Sequence, residues 1–374
     1  MPVNPPPARV GDSLGDILTP ALVVDLDAFE ANLDRLRARC EGFGVRLRAH
    51  AKTHKSADIG LLQMSRGGAC GVCCQKVSEA EAMVAGGITD VLVSNQVIGA
   101  ARIARLVALA RQARVIVCVD DAGNVDELAA AAGRAGVTLE CLVEIDTGMG
   151  RCGVRPGAAA VALAQRVAGH PSLRFAGLQA YDGRAQHVYD YDTRRARIDG
   201  VVAATRETVR ALQAAGLDCD IVGGAGTGTY GFEAASGVYN ELQCGSYVFM
   251  DVDYGRVREA GGAGLSEFAN SLFVLSTVMS VAVPGTAVCD AGLKALATDS
   301  GPPVVRGHED LAVKGVSDEH TILADPGDSL TLGQRLWLIP GHCDPTCNLY
   351  DWYVAVRGGR VEALWPVSAR GCLV

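Results

Sequence analysis

The chain has 374 residues, of which 20% are charged and 49% hydrophobic, and its net charge is −8. This composition excludes a disordered chain, and the acidic balance excludes a nucleic-acid surface. No apolar run approaches the ~18 residues of a membrane span, and no apolar signal segment opens the chain, so a cytoplasmic protein with a large core is expected.

A strand is predicted over residues 22–26, followed by a helix capped by Asp27. Apolar residues recur there at Phe29, Leu33, Leu36 and Cys40, and Gly42 and Gly44 end the helix. The next strand starts at Val45 and alternates through Leu47, Ala49 and Ala51. It ends in a basic run containing His50, Lys52, His54 and Lys55, after which Ser56 is placed as an N-cap. Parallel α/β proteins keep their chemistry where a strand gives way to a βα loop. Neighbouring cations and burial both oppose an ammonium, so Lys52 is expected to have a depressed pKa and to be able to form a Schiff base. The plainer reading of the same run is a solvated basic turn.

Further strands are predicted at 71–74, 91–93, 115–119, 139–145, 175–180, 221–222 and 241–242. A capping box of Ser78 and Glu81 opens one of the intervening helices, and others fall at 101–110, 124–132, 158–168 and 192–214. Counted from Val45, this alternation predicts an α/β fold, a closed (β/α)8 TIM barrel over residues 27–262. An open doubly wound sheet is the alternative, and the lack of a GxGxxG after the first strand weighs against it as a dinucleotide fold. Beyond residue 263 the strands 272–275, 287–289, 336–339 and 352–356 follow without helices, and Arg357 to Arg360 reads as a hairpin turn. Residues 263–374 are therefore expected to form an all-β domain that residues 1–26 join. The thirteen cysteines lie in apolar runs or beside glycine, which predicts free thiols in a reducing compartment.

Gly223-Gly224-Ala225-Gly226-Thr227-Gly228-Thr229 follows the seventh barrel strand, and Gly245-Ser246-Tyr247 the eighth. Bare amides and hydroxyls there suit a phosphate group. A lysine beside a phosphate cup points to pyridoxal 5'-phosphate. Arg151, after the fifth strand, suits a phenolate or a substrate carboxylate. Tyr181, ending the sixth, either meets a ring nitrogen or packs. His342 and Asp344 are two apart, and in an extended segment both would project on one side and suit a divalent ion.

The strand-end Lys52 in "HAKTHK", the element "DTGMGR" ending at Arg151, the glycine loop, the β domain and the late "HCD" together resemble the alanine-racemase-type (fold type III) pyridoxal-phosphate enzymes. Within them they resemble the D-threonine aldolase and D-serine dehydratase branch. The resemblance implies that Lys52 is the Schiff-base lysine and Arg151 the partner of the cofactor's phenolic oxygen. It gives Gln75, Gly226, Thr227, Ser246 and Tyr247 to the cofactor, beside the Tyr181 already placed at the mouth, and His342 and Asp344 to magnesium or manganese. It implies a homodimer and retro-aldol cleavage of a D-β-hydroxy amino acid, with 3-hydroxy-D-aspartate giving glycine and glyoxylate. His320 or a metal-bound water is the expected base, and Lys55, Lys294 or Arg256 the partner of a distal carboxylate. Some relatives carry histidine where this chain has Asp182, so no base role transfers there. The alternatives are a threonine-type aldolase, a dehydratase and a non-catalytic cofactor-binding barrel.

Overall fold

A computed structural model describes residues 4–308 and 310–374. Residues 1–3, at the head of the expected N-terminal segment, lie outside the described residues, as does residue 309. The first strand, β1 (Ala21–Asp25), is followed by eight parallel strands that close into a barrel in sequence order. They are β2 (Arg46–His50), β3 (Gly71–Cys74), β4 (Asp90–Gln96), β5 (Arg114–Val119), β6 (Leu139–Glu144), β7 (Leu173–Ala180), β8 (Ile221–Gly224) and β9 (Glu241–Leu242). These strands are covered on both faces, so they read as nearly unbroken apolar runs. Leu92, Ile116, Cys118 and Leu142 cluster together with Cys73 and Ile221. Their alternating neighbours Val91, Val93, Val115 and Val117 pack against the surrounding helices.

The second domain holds β10 (Leu272–Ser280), β11 (Thr286–Cys289), β12 (Val304–Val305), β13 (Val313–Val316), β14 (Thr321–Ala324), β15 (Arg335–Ile339), β16 (Trp352–Arg357) and β17 (Arg360–Pro366). Its sheet runs β13-β14-β11-β10-β1-β16-β17, with β15 pairing β10 and β12. Thus β1 belongs to this sheet, antiparallel to β10 and parallel to β16. The β16–β17 hairpin closes at the expected Arg357–Arg360 turn.

Two helix starts differ from expectation, and a third keeps its expected N-cap without the capping bond. Asp25, not Asp27, caps the helix Leu26–Phe43, accepting from the Ala28 amide. Before the helix Val77–Ala85, Glu79 rather than Glu81 takes the free amides of Gln75 and Lys76 at 2.7 and 3.1 Å; Glu81 pairs with Arg105 instead. Ser56 does occupy the N-cap of Ala57–Ser65, but its hydroxyl makes no capping bond, and the Ala57 amide donates to Ser368 Oγ at 2.9 Å.

A belt of charges seals the N-terminal end of the barrel. Arg48 donates to Glu241 at 2.8 Å and pairs with Asp90. Asp90 meets Arg114 at 3.0 Å, and Arg114 meets Glu140 at 2.7 Å. Glu140 meets Arg174 at 2.6 Å, and Arg174 meets Asp220. The circle closes through Arg46, which donates to the Asp220 carbonyl at 2.9 Å and pairs with Glu241 at 3.4 Å. The strand between Arg48 and Asp90 contributes Gly71, where a Cβ would lie 2.5 Å from the Arg48 guanidinium. Glycine there lets Arg48 reach across β3. Among the described residues no helix is long and apolar enough to cross a membrane.

Candidate active site

A cavity of about 510 Å³ opens at the C-terminal ends of the barrel strands. Successive βα loops bring Lys52, Gln75, Arg151, Tyr181, Gly226, Thr227 and Ser246 into its wall, after β2, β3, β6, β7, β8 and β9. Tyr247 is the exception. Its side chain is fully buried, packs edge-on against Phe268 with ring centroids 5.7 Å apart, and accepts from Gln63 at 3.3 Å. Adjacent residues in a tight turn point to different sides, so only its backbone faces the loop, its amide donating to Thr227 Oγ1 at 2.9 Å.

The loops form a cradle that tolerates no extra atoms. A Cβ on Gly226 would lie 2.5 Å from Gln186, and one on Gly245 would lie 2.5 Å from Thr53 Oγ1. A close-fitting cup lined by bare backbone and the hydroxyls of Thr227 and Ser246 fits a phosphate ester, with Lys52 in the same wall to take an aldehyde carbon.

The electrostatics of Lys52 differ from expectation. Its Nζ pairs with Asp344, 292 positions along the chain. Burial alone would lower its pKa, but the Asp344 carboxylate and Tyr181 together hold it above the ordinary lysine value. The supposed cation cluster is also dispersed. Burial pushes His50 down to about 3 and His54 down to about 4, so both imidazoles are neutral at pH 7. Lys55, at φ 52°, is spent on a buried pair with Glu79.

The tautomer of His54 is set by its neighbours. Nδ1 accepts from the Ser56 amide at 3.1 Å, so Nε2 carries the hydrogen and donates to Gln63 at 3.0 Å. A second proton would have to sit on Nδ1, against the Ser56 N–H. The unfolded chain takes up that proton near pH 6.5, the folded chain only near 4. Between those values the unfolded state binds more protons, so stability falls as pH falls. Acidification from pH 7 to pH 5 should remove about 2 kcal/mol through His54. Urea midpoints at the two pH values check this: His54→Asn should show a shallower loss, and an equal slope in both proteins refutes the assignment.

His342 and Asp344 do not lie in an extended segment. Residues Cys343–Cys347 form a helical turn with His342 as its N-cap, because the Cys343 amide is held by Asp251 at 2.9 Å and Thr346 caps the His342 carbonyl at 2.7 Å. His342 Nδ1 bonds to Asp299 at 2.7 Å, which leaves Nε2 free of that bond. Burial works against the imidazolium, but Asp344 and Asp299 raise its pKa overall. Burial likewise works against the Asp344 anion, yet Lys52 and His342 hold it well below the usual carboxylate range. An imidazole oriented by a carboxylate, beside an ionised carboxylate, is a donor set that fits a divalent ion with its other positions open. Among the described residues no group of three or more histidine, cysteine or acidic side chains is arranged around a metal position.

His320 does not reach the cavity of its own chain. It sits between β13 and β14, at the outer edge of the second sheet. The three cations expected for a distal carboxylate are engaged elsewhere too. Lys55 is buried with Glu79, Lys294 pairs with Glu319 at 2.6 Å, and Arg256 donates to the Ser300 carbonyl at 2.9 Å. The cavity holds a cation that the sequence reading passed over, Arg184, in a short 3-10 turn (Arg184–His187) after β7. Its signal was a basic residue three positions beyond Tyr181, in a loop at the same end of the barrel. Asp182 is buried and clamped by Arg197 at 2.6 and 3.2 Å.

Comparison with known proteins fits this arrangement. The family profile described as "Alanine racemase, N-terminal domain" matches residues 24–253, and a second profile, named for serine dehydratases, matches residues 271–356. A 3-hydroxy-D-aspartate aldolase of Paracoccus denitrificans (strain Pd 1222) is 51% identical over 98% of this chain and 95% of its own. A D-threonine aldolase of Arthrobacter sp. is 47% identical over 98% of this chain and 96% of its own. The crystal structure of D-threonine aldolase from Filomicrobium marinum superposes with a TM-score of 0.96 at 48% identity, covering 99% of this chain and 100% of that one. The chain belongs to the alanine racemase N-terminal domain family, in the group of the 3-hydroxy-D-aspartate and D-threonine aldolases.

Proposed function

We propose that the chain is a pyridoxal-phosphate-dependent lyase that splits the Cα–Cβ bond of a D-β-hydroxy amino acid, turning 3-hydroxy-D-aspartate into glycine and glyoxylate. One observation carries this reading: Lys52, which lines the barrel cavity, forms an ion pair with Asp344 from the second domain. The first suits an aldehyde coenzyme and the second a metal.

Lys52 would hold the aldehyde carbon of the cofactor, with Thr227, Ser246 and the Gly226 backbone around its phosphate. Arg151 would face the phenolic oxygen, and Gln75 and Tyr181 would border the ring. Only the Tyr247 backbone, not its ring, is available to the phosphate loop. The cofactor supplies an electron sink for the pair left on Cα when the bond breaks. His342 and Asp344 would hold a divalent ion, magnesium or manganese by the hardness of the carboxylate, and that ion supplies Lewis acidity at the β-hydroxyl. A base would take the β-hydroxyl proton, His320 of a covering chain being the candidate, and the Cβ side would become the aldehyde of glyoxylate. Lys52, in the cavity wall, would be the amine that returns a proton to Cα of the product glycine.

A homodimer in which the second domain of one chain covers the barrel mouth of the other would give His320 a site to serve. Exposed Met279, Val283 and Leu293 on that domain support such a contact. All thirteen cysteines are free, in keeping with a reducing cytoplasm.

The test is product analysis of the holoenzyme with a panel of D- and L-β-hydroxy amino acids. Glycine and glyoxylate should form one for one from 3-hydroxy-D-aspartate. Ammonia and a keto acid in their place would make the protein a dehydratase. EDTA should stop cleavage while the cofactor absorbance stays, and magnesium or manganese should restore it; cleavage that survives thorough chelation refutes the metal role.

A further inference from the structure

We infer that Arg184 grips the distal carboxylate of the substrate and so selects a hydroxy dicarboxylic amino acid over one with an alkyl side chain. The inference rests on the aldolase reading above. Among the described residues the Arg184 guanidinium donates no hydrogen bond and forms no ion pair, although it stands in the cavity wall. Its charge is felt by Asp146, but that carboxylate is taken by the loop amides of Gly148 and Gly150 at 2.9 and 3.1 Å. The other basic side chains of the cavity wall are committed. Lys52 pairs with Asp344, His187 is bonded to Asp253 at 2.9 Å, and Arg151 is assigned to the cofactor.

The backbone beneath Arg184 is fixed from several sides. Asp182, itself clamped by Arg197, accepts from the amides of Arg184 and Ala185 at 3.0 and 3.3 Å. Gln186, in the same turn, accepts from the Gly228 amide and donates to Thr229 Oγ1, both at 2.9 Å. The turn is thereby tied to the glycine loop that frames the cradle. What is left unbonded is the side chain, which ends in a planar fork of donors matched to a carboxylate. Of the two carboxylates on 3-hydroxyaspartate, the α-carboxylate is common to every amino acid and only the distal one distinguishes this substrate from threonine.

The experiment compares kcat/KM for D-3-hydroxyaspartate and D-threonine in the wild-type and Arg184→Gln holoenzymes, with cofactor absorbance as the check on folding. The variant should lose about a hundredfold on the dicarboxylate, mostly in KM, and stay within about twofold on threonine. Arg184→Lys, which keeps the charge without the fork, should recover part of the loss. Equal losses on both substrates would mean that Arg184 holds the α-carboxylate, and unchanged kcat/KM on both would mean that it holds neither; each overturns the assignment. A wild-type holoenzyme that releases no aldehyde from either substrate overturns the aldolase reading and the assignment with it.

Discussion

Lys52→Ala is expected to reduce turnover by at least roughly three orders of magnitude and to abolish the long-wavelength absorbance of bound cofactor. Nζ is the amine in the cavity wall placed to take an aldehyde carbon, because Lys55, its basic neighbour, is buried against Glu79. Nζ is also the counter-ion of Asp344, and burial then favours the neutral acid once the ammonium is gone. Lys52→Arg separates these roles. A guanidinium keeps a positive charge facing Asp344 but is not a free amine, so that variant should fold normally and stay inactive. A fully active Lys52→Ala protein would refute the assignment outright.

The second large effect is on stability. Arg48→Ala is expected to cost about 3–5 kcal/mol, read from urea midpoints. Arg48 and Glu241 are each 1% exposed, and removing the guanidinium leaves Glu241 facing only the half-exposed Arg46. Replacing both partners by methionine should restore most of the loss, because no buried charge is then stranded. Arg174→Ala, from the solvated part of the same belt, should cost no more than about 1 kcal/mol. Similar midpoints for Arg48→Ala and Arg174→Ala would show that burial does not govern the belt.

The eight barrel strands were legible because residues such as Val115 to Val119 must be apolar on both faces, which leaves a continuous run. The strands β12, β13 and β14 escaped notice. They are two to four residues long and half-exposed, so they carry too little pattern. Helix starts were legible only to within a turn. Asp25 and Asp27 both suit a cap, as Glu79 and Glu81 both suit a box, and where the preceding strand stops decides between them.

The barrel end that carries the site could be read from strand order, which is why Lys52, Arg151 and Thr227 converge as expected. The pairing of Lys52 with Asp344 could not, since no local period links residues 292 apart. It was also the reason the lysine's expected acidity reversed: the deciding charge arrives from another domain. Arg184 was not predicted because a four-residue turn has no periodicity.

The loop bearing Lys52 is held largely from outside the barrel. Tyr353 donates to the His54 carbonyl at 2.6 Å, the Ala369 amide donates to the Lys55 carbonyl at 2.8 Å, and Ser368 receives the Ala57 amide. For protein engineering this makes the two halves a single inheritable unit. A barrel produced alone would carry Lys52 on an untethered arm, and a graft exchanging second domains between homologues would have to transplant the lysine arm and its three anchors together.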